Sequence, residues 1–276
     1  KEVRGRVGAL EGGDSVGPIR FESRQLAAFF EPGTQNLSRL DLVGRAVEPV
    51  MLLSRPKGQK PRRLFTRQLT GTFKDGLLER ADATGGVRLA ELESAPPDED
   101  WAQFDTSDQD PLDQPPAETE EEEESPEVVT PGAIDTSSRP YDLYEQEARR
   151  VATAPQAEGF FGAEGELVEV VLGGPVWIRE ERFEARGSQA RYDYSNGVAE
   201  FLGQPALVES DRCTMRAPRF LWTERSNLLY ASGGTRSEML PNARGGTLEG
   251  GPLGSGQGPI FVESREAFLR DTDRTF

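Results

Sequence analysis

Histidine is absent from this 276-residue chain, and cysteine occurs once. Without His there is no Ser-His-Asp or Cys-His system, and zinc loses its commonest nitrogen ligand. The single thiol, Cys213, cannot close an internal disulfide, so the fold does without the staple common in small secreted domains. An oxidising compartment stays open on that evidence. Cys213 itself reads as a small, half-buried strand residue. Lysine is scarce, with four residues against 28 arginines. No run of about 18 apolar residues suggests a transmembrane helix, no nucleotide-binding motif is found, and no cofactor or metal is expected.

Charge is uneven. The net charge is −16, yet residues 91–138 alone hold 17 Asp or Glu and no Lys or Arg. The remainder is close to neutral, leaving no basic surplus for phosphate backbones, which excludes nucleic acid as a partner. Residues 93–140, with repeated Pro and the Glu120–Glu124 run, bury too little apolar surface to offset the entropy of ordering. They read as an acidic disordered linker or inserted loop between 1–92 and 141–276. Gly-rich 241–259 reads as a second loop.

The rest repeats. Residues 183–210 (FEARGSQARYDYSNGVAEFLGQPALVES) and 213–240 (CTMRAPRFLWTERSNLLYASGGTRSEML) share one pattern. An Arg (Arg186, Arg216) precedes an aromatic (Tyr192, Trp222), then a polar turn, an apolar residue (Phe201, Ala231) and a Gly (Gly203, Gly233). Further copies start at Arg24, Arg67 and Arg149, and 262–269 opens another. A fixed period of this length marks a repeat architecture. The chain begins and ends inside a repeat, so it reads as a segment of a longer protein.

Each copy supplies two strands. Lys74-Asp75-Gly76 is a hairpin-turn signal, and 167–172 and 176–178 are rich in β-branched and aromatic residues. Only 141–152 (YDLYEQEARRVA) admits a short helix. Alternate residues of a strand share a face. Counting in twos from the arginines gives Arg24-Leu26-Ala28-Phe30, Arg67-Leu69-Gly71-Phe73, Arg186-Ser188-Ala190-Tyr192 and Arg216-Pro218-Phe220-Trp222. The returning strands offer Leu40-Leu42, Ala81-Ala83, Ala199-Phe201 and Leu229-Ala231. The expected class is all-β: two facing antiparallel sheets of stacked repeats of about 30 residues, neighbours completing the core no repeat builds alone.

The run Gln189-Ala190-Arg191-Tyr192-Asp193, an Asn-Gly turn, an apolar strand and a Gly together resemble the OstA-like repeat. That repeat occurs in the lipopolysaccharide-transport proteins LptA and LptC and in the N-terminal domain of LptD. The resemblance is clearest over 183–240, fair over 19–92 and 144–180, and absent from 93–140. The long acidic insert and the lengthened first repeat depart from the compact family pattern. It implies an open, twisted β-jelly roll in the periplasm whose interior holds the acyl chains of lipopolysaccharide or a related lipid. Other jelly-roll domains joining end to end through edge strands, and an inner-membrane transporter complex, are the partners it implies.

On that reading the groove candidates are Leu26, Phe30, Leu40, Leu42, Leu69, Phe73, Ala83, Val171, Tyr192, Ala199, Phe201, Phe220, Trp222, Leu229 and Ala231. Arg24, Arg67, Arg186 and Arg216 would form a ladder at the groove mouth, their forks meeting phosphate or carboxylate headgroups. Two alternatives stay open. One-sided apolar alternation is also what a filled sandwich core shows. The arginines could instead pair across the sheet with acids such as Glu22 or Glu184, and a β-bulge would reverse the parity. A structural β-repeat module without cargo is a further reading. A carboxylate-based polysaccharide enzyme would need two acids on one surface, for which Asp193 and Asp211 are the best pair.

Overall fold

The computed structural model describes residues 2–11, 18–34, 36–46, 49–54, 60–92, 148–180, 183–210, 213–239 and 259–270. Most of the two expected loops, residues 141–147 and Asp211 lie outside the described residues. The described residues form no helix. Their strands are β1 (Glu2–Glu11), β2 (Pro18–Phe30), β3 (Leu37–Val43), β4 (Val50–Ser54), β5 (Arg62–Thr66), β6 (Gln68–Lys74) and β7 (Leu77–Leu92). After the acidic stretch follow β8 (Ala148–Phe161), β9 (Leu167–Glu180), β10 (Phe183–Asp193), β11 (Val198–Ser210), β12 (Cys213–Thr223), β13 (Leu228–Met239) and β14 (Ile260–Arg270). The helix that 141–152 admits is overruled where it is described. Ala148 onward is strand, with Arg150 opposite Glu180 and Ala152 opposite Ile178.

All pairings are antiparallel, and they reduce to one meander. β2 pairs with β4 through Ile19–Glu22 and with β3 through Gln25–Phe30. β3 in turn pairs with β6, and β4 with β5. So β4 with β3, and β5 with β6, are halves of single strands bent in the middle. From β7 to β14 each strand simply neighbours the next. Register breaks fall at the same level in strand after strand: 84/87 and 153/156 in β7 and β8, 202/206 and 216/219 in β11 and β12, 232/235 in β13. Each strand therefore crosses from one layer to the other at its bulge, where the extra residues bend it. The result is an open jelly roll of two antiparallel layers joined along a spine of bulges.

Small residues and prolines occupy that spine, which is why Gly203 and Gly233 recur in the sequence. Gly85 shows the constraint. Its φ is +82°, and a Cβ there would lie 2.9 Å from the Cβ of Arg67 in the bend between β5 and β6. Both a left-handed backbone and a close approach exclude a side chain. The hairpins opposite the spine are equally specified. Asp75 (φ 53°) and Gly76 (φ 81°) both take positive φ, as a two-residue type I′ turn requires. In the repeat pair, Gly197 (φ 64°) and Asn227 (φ 49°) hold the same left-handed position.

The bulge has a consequence for faces. In β12 the buried residues are Cys213, Met215 and Ala217 before it, and Phe220 and Trp222 after it. In β11 they are Ala199 and Phe201, then Ala206 and Val208. Inward parity reverses at the bend, so each strand turns one apolar side to the space between the layers in both halves. β7 and β8 pair along their length across the acidic stretch, so the parts before and after it share one sheet.

Gly85→Ala should lower the unfolding free energy by about 1–3 kcal/mol through left-handed strain and the clash with Arg67. Chemical denaturation checks this; a change below about 0.5 kcal/mol would mean the bend does not need glycine.

Candidate binding groove

Around Phe220 and Ala231 the space between the layers is full. Phe220 and Ala231 have no exposed surface, and Phe201, Trp222, Leu229 and Ala199 are buried around them. Phe183 of one layer meets Trp222 of the other edge-on, with ring centroids 5.9 Å apart. Toward the N-terminal end the filling is incomplete. A cavity of about 120 Å³ lies between Leu52, Leu64 and Leu89 of one layer and Leu69, Ala83 and Leu167 of the other. A smaller space of about 50 Å³, bounded by Ala152, Phe183, Tyr192 and Trp222, adjoins it, with Leu89 and Val170 lining both.

Most groove candidates face this interior. Leu40, Leu42, Leu69, Ala83, Ala199, Phe201, Phe220, Trp222, Leu229 and Ala231 belong to its buried cluster, and Leu26, Phe30, Phe73 and Tyr192 pack against it. Only Leu69 and Ala83 line the larger cavity, and Tyr192, Ala199, Phe201 and Trp222 line the smaller one. Val171 is a correction. Its neighbours Val170 and Leu172 are the buried ones, and Val171 sits opposite Glu158 and Arg191 on the outer face. The repeat alignment matched its position to Gly173 but missed that β9 carries its bulge at Gly174-Pro175.

The arginine ladder is also corrected, because parity flips at the bulge. Arg67, Arg186 and Arg216 are exposed on the outer side of the spine, and Arg24 lies in the bend of β2, half-buried. Arg186 contacts Glu184 at 3.3 Å and Glu209 of the adjacent strand at 3.8 Å, as the cross-strand alternative allows. Asp193 of the enzyme reading caps its own hairpin. It accepts from the Asn196 amide N–H at 3.0 Å and Nδ2 at 2.7 Å, bonds that hold its carboxyl below the usual range. Among the described residues no group of three or more acids or Cys is placed to hold a metal.

Sequence reasoning missed the charged cluster at the mouth, where strand ends of one layer meet hairpins of the other. Arg149 and Arg150 open β8, Glu180 closes β9, and Glu224 follows β12 on the opposite layer. Arg150 lies 3.3 Å from Glu180, and its guanidinium stands 5.0 Å from the Trp222 ring and 5.1 Å from the Tyr192 ring. Tyr192 donates its hydroxyl to Glu224 at 2.7 Å. Arg149 lies 3.9, 3.6 and 3.7 Å from Glu91, Glu180 and Glu224. Beside them, the Arg62 guanidinium sits 4.1 Å from the centre of the Tyr194 ring. The layers are thus latched by ions and rings. The missed signal was parity: with β8 as a strand, Arg150, Ala152 and Ala154 share the inward face.

Burial governs the protonation of this cluster. Desolvation pushes the Glu180 carboxyl up, against the pull of Arg150 and Arg149. Burial also works against charge on Arg150, but Glu180 and Glu91 outweigh it and raise its pKa. Tyr192 is raised by burial and then by its bond to Glu224.

No family model and no curated protein matches this chain. Among solved structures it is similar to LptH, the LptA-homologous periplasmic component of the lipopolysaccharide transport device from Pseudomonas aeruginosa. The identity is 10%, the TM-score 0.25, and the overlap spans 89% of this chain and 94% of that one. The fold rests on its own strand order.

Arg150→Met should cost about 3–5 kcal/mol, since it leaves Glu180 buried beside one fewer cation, and adding Glu180→Gln should recover part of it. Denaturation of the two single variants and the double variant measures this. The pH dependence has a definite sign. A carboxyl whose folded pKa is raised above its ordinary 4.5 contributes stability below that value and loses it as pH rises through the folded pKa. Glu180→Gln should remove that falling slope, and an unchanged slope would assign it to another group.

Proposed function

We propose that this chain binds lipid hydrocarbon between its two layers and passes it to jelly-roll domains joined end to end, as a non-catalytic carrier. The resemblance of its repeats names lipopolysaccharide as the cargo, the periplasm as the compartment and an inner-membrane transporter complex as a further partner. The observation that carries the reading is the apolar cavity between Leu52, Leu64, Leu69 and Leu89. At about 120 Å³ it is close to the engineered apolar cavity of roughly 150 Å³ that takes up benzene. It therefore accepts a short piece of one chain, and longer cargo requires the layers to part. Each methylene removed from water contributes about 0.8 kcal/mol. Binding supplies shielding and no direction; the energy for transport comes from elsewhere.

Both ends of the sheet support assembly. Among the described residues β1 pairs only with β2, and β14 only with β13. An edge strand with one partner is a template for another, and β14 also exposes Phe261 and Phe268. The filled C-terminal half favours the second reading, an assembly module without cargo.

Photocrosslinking separates the two. A photoreactive residue at Leu69 should trap lipopolysaccharide in cells, whereas one at outward-facing Thr70 should not. Lipid at neither position in folded protein would leave the assembly module standing. For the edges, Val262→Lys sets an inward-pointing charge on β14 and should reduce concentration-dependent association in sedimentation; unchanged association would place the contact elsewhere.

A further inference from the structure

The four arginines singled out by the repeat lie away from the groove, so the anion-binding chemistry must be sought where guanidinium groups meet the apolar interior. That place is the mouth. Arg150 lines the smaller space together with Phe183, Tyr192 and Trp222, and Arg62 lines the larger one. Three acids face Arg149 and Arg150, Glu91 on β7, Glu180 on β9 and Glu224 on the opposite hairpin, and the last two differ in character.

Glu180 belongs to the same layer as the arginines, on the strand beside β8. Its side chain is 6% exposed and lies 3.3 Å from Arg150. It is a fixed partner. Glu224 belongs to the opposite layer, on the hairpin between β12 and β13, and its side chain is 35% exposed. It reaches Arg149 at 3.7 Å and Arg150 at 3.9 Å, beyond hydrogen-bond length, while its short bond comes from Tyr192 at 2.7 Å. Arg149 makes no ion pair shorter than 3.6 Å among the described residues. A guanidinium offers a fork of donors matched to two oxygens of one phosphate or carboxylate, and these distances do not use that match.

We propose that Arg149 and Arg150 dock the phosphate or carboxylate of an anionic amphiphile whose chain enters the cavity, with Glu224 occupying the anion's place until the ligand exchanges for it. The proposal rests on the lipid groove and adds a headgroup subsite to it. Exchange has a mechanical result. Glu224 is the acid that joins the β12–β13 hairpin to the arginines of the other layer, so an incoming anion that takes over the arginines releases the hairpin. The mouth then parts where the two apolar spaces adjoin. Binding the head and admitting the chain become one event.

The test uses two probes of equal chain length, dodecyl phosphate and dodecanol, with affinities measured by displacement of a fluorescent fatty probe. The wild-type chain should bind the phosphate about ten-fold more tightly than the alcohol, the range expected for charge-assisted hydrogen bonds. Arg149→Gln should remove that preference, bringing the two affinities together. Arg149→Lys, which keeps the charge without the fork, should keep part of it. Glu224→Gln should tighten binding of the phosphate several-fold, and it carries the test alone should the Arg149 variants fail to fold. Equal affinity for the two probes in the wild type would overturn the headgroup subsite and leave the groove intact. So would an equal loss of both in a folded Arg149→Gln chain. Binding of neither probe would overturn the groove and the subsite together.

Discussion

A strand that serves two layers must bend, and the bend is the constraint on which this protein depends. Every backbone donor and acceptor in a sheet needs a partner, so the bulges of adjacent strands have to fall at one level or the ladders break. They do so from β7 to β13. That alignment makes the spine, the spine sets the layers face to face, and their far ends form the mouth. The chemistry of the spine follows from it: glycine where φ is positive or a neighbour's Cβ stands close, as at Gly85, and proline where a donor is not used, as at Pro155 and Pro218.

The same bend explains what the sequence does and does not disclose. Composition, the Gly203/Gly233 match and the turn at Asp75-Gly76 announce a repeated all-β chain, because they are local requirements of turns and bulges. Most apolar candidates, from Leu40 to Ala231, face the interior because counting in twos is valid within half a strand. Counting across a bulge is not. Arg186 and Arg216 lie before the bend and Tyr192 and Trp222 after it, so a series that joins them crosses from the outer face to the inner. Val171 fails for a neighbouring reason, since the repeat alignment slips where β9 places its bulge one residue later. The mouth cluster was illegible because its members are far apart in sequence, 30 residues from Arg150 to Glu180 and 74 from Arg150 to Glu224, and only the fold brings them together.

A mostly buried ion cluster is an unexpected way to join two apolar layers. Apolar side chains of similar volume would usually hold them as well or better, because desolvating charges takes back most of their attraction. What ions and a tyrosine provide is a contact that is firm when complete and weak once one partner is lost. Phe220 and Ala231 illustrate the opposite behaviour nearby: a filled core gains nothing from opening and offers a ligand no entry. The molecule thus holds two kinds of interior under one spine, a packed half near the C-terminal edge and a half with space under a charged latch.

Magnitudes decide whether such a latch is compatible with carrying hydrocarbon. The pairs that opening breaks join Arg149 and Arg150 to Glu224, 35% exposed and 3.7 and 3.9 Å away, and solvent screening holds their cost to about 1 kcal/mol. A twelve-carbon chain withdrawn from water returns roughly 10 kcal/mol at about 0.8 kcal/mol per methylene. On the carrier reading proposed above, one chain would more than offset the opening, so the ions at the mouth are compatible with hydrocarbon entering between the layers.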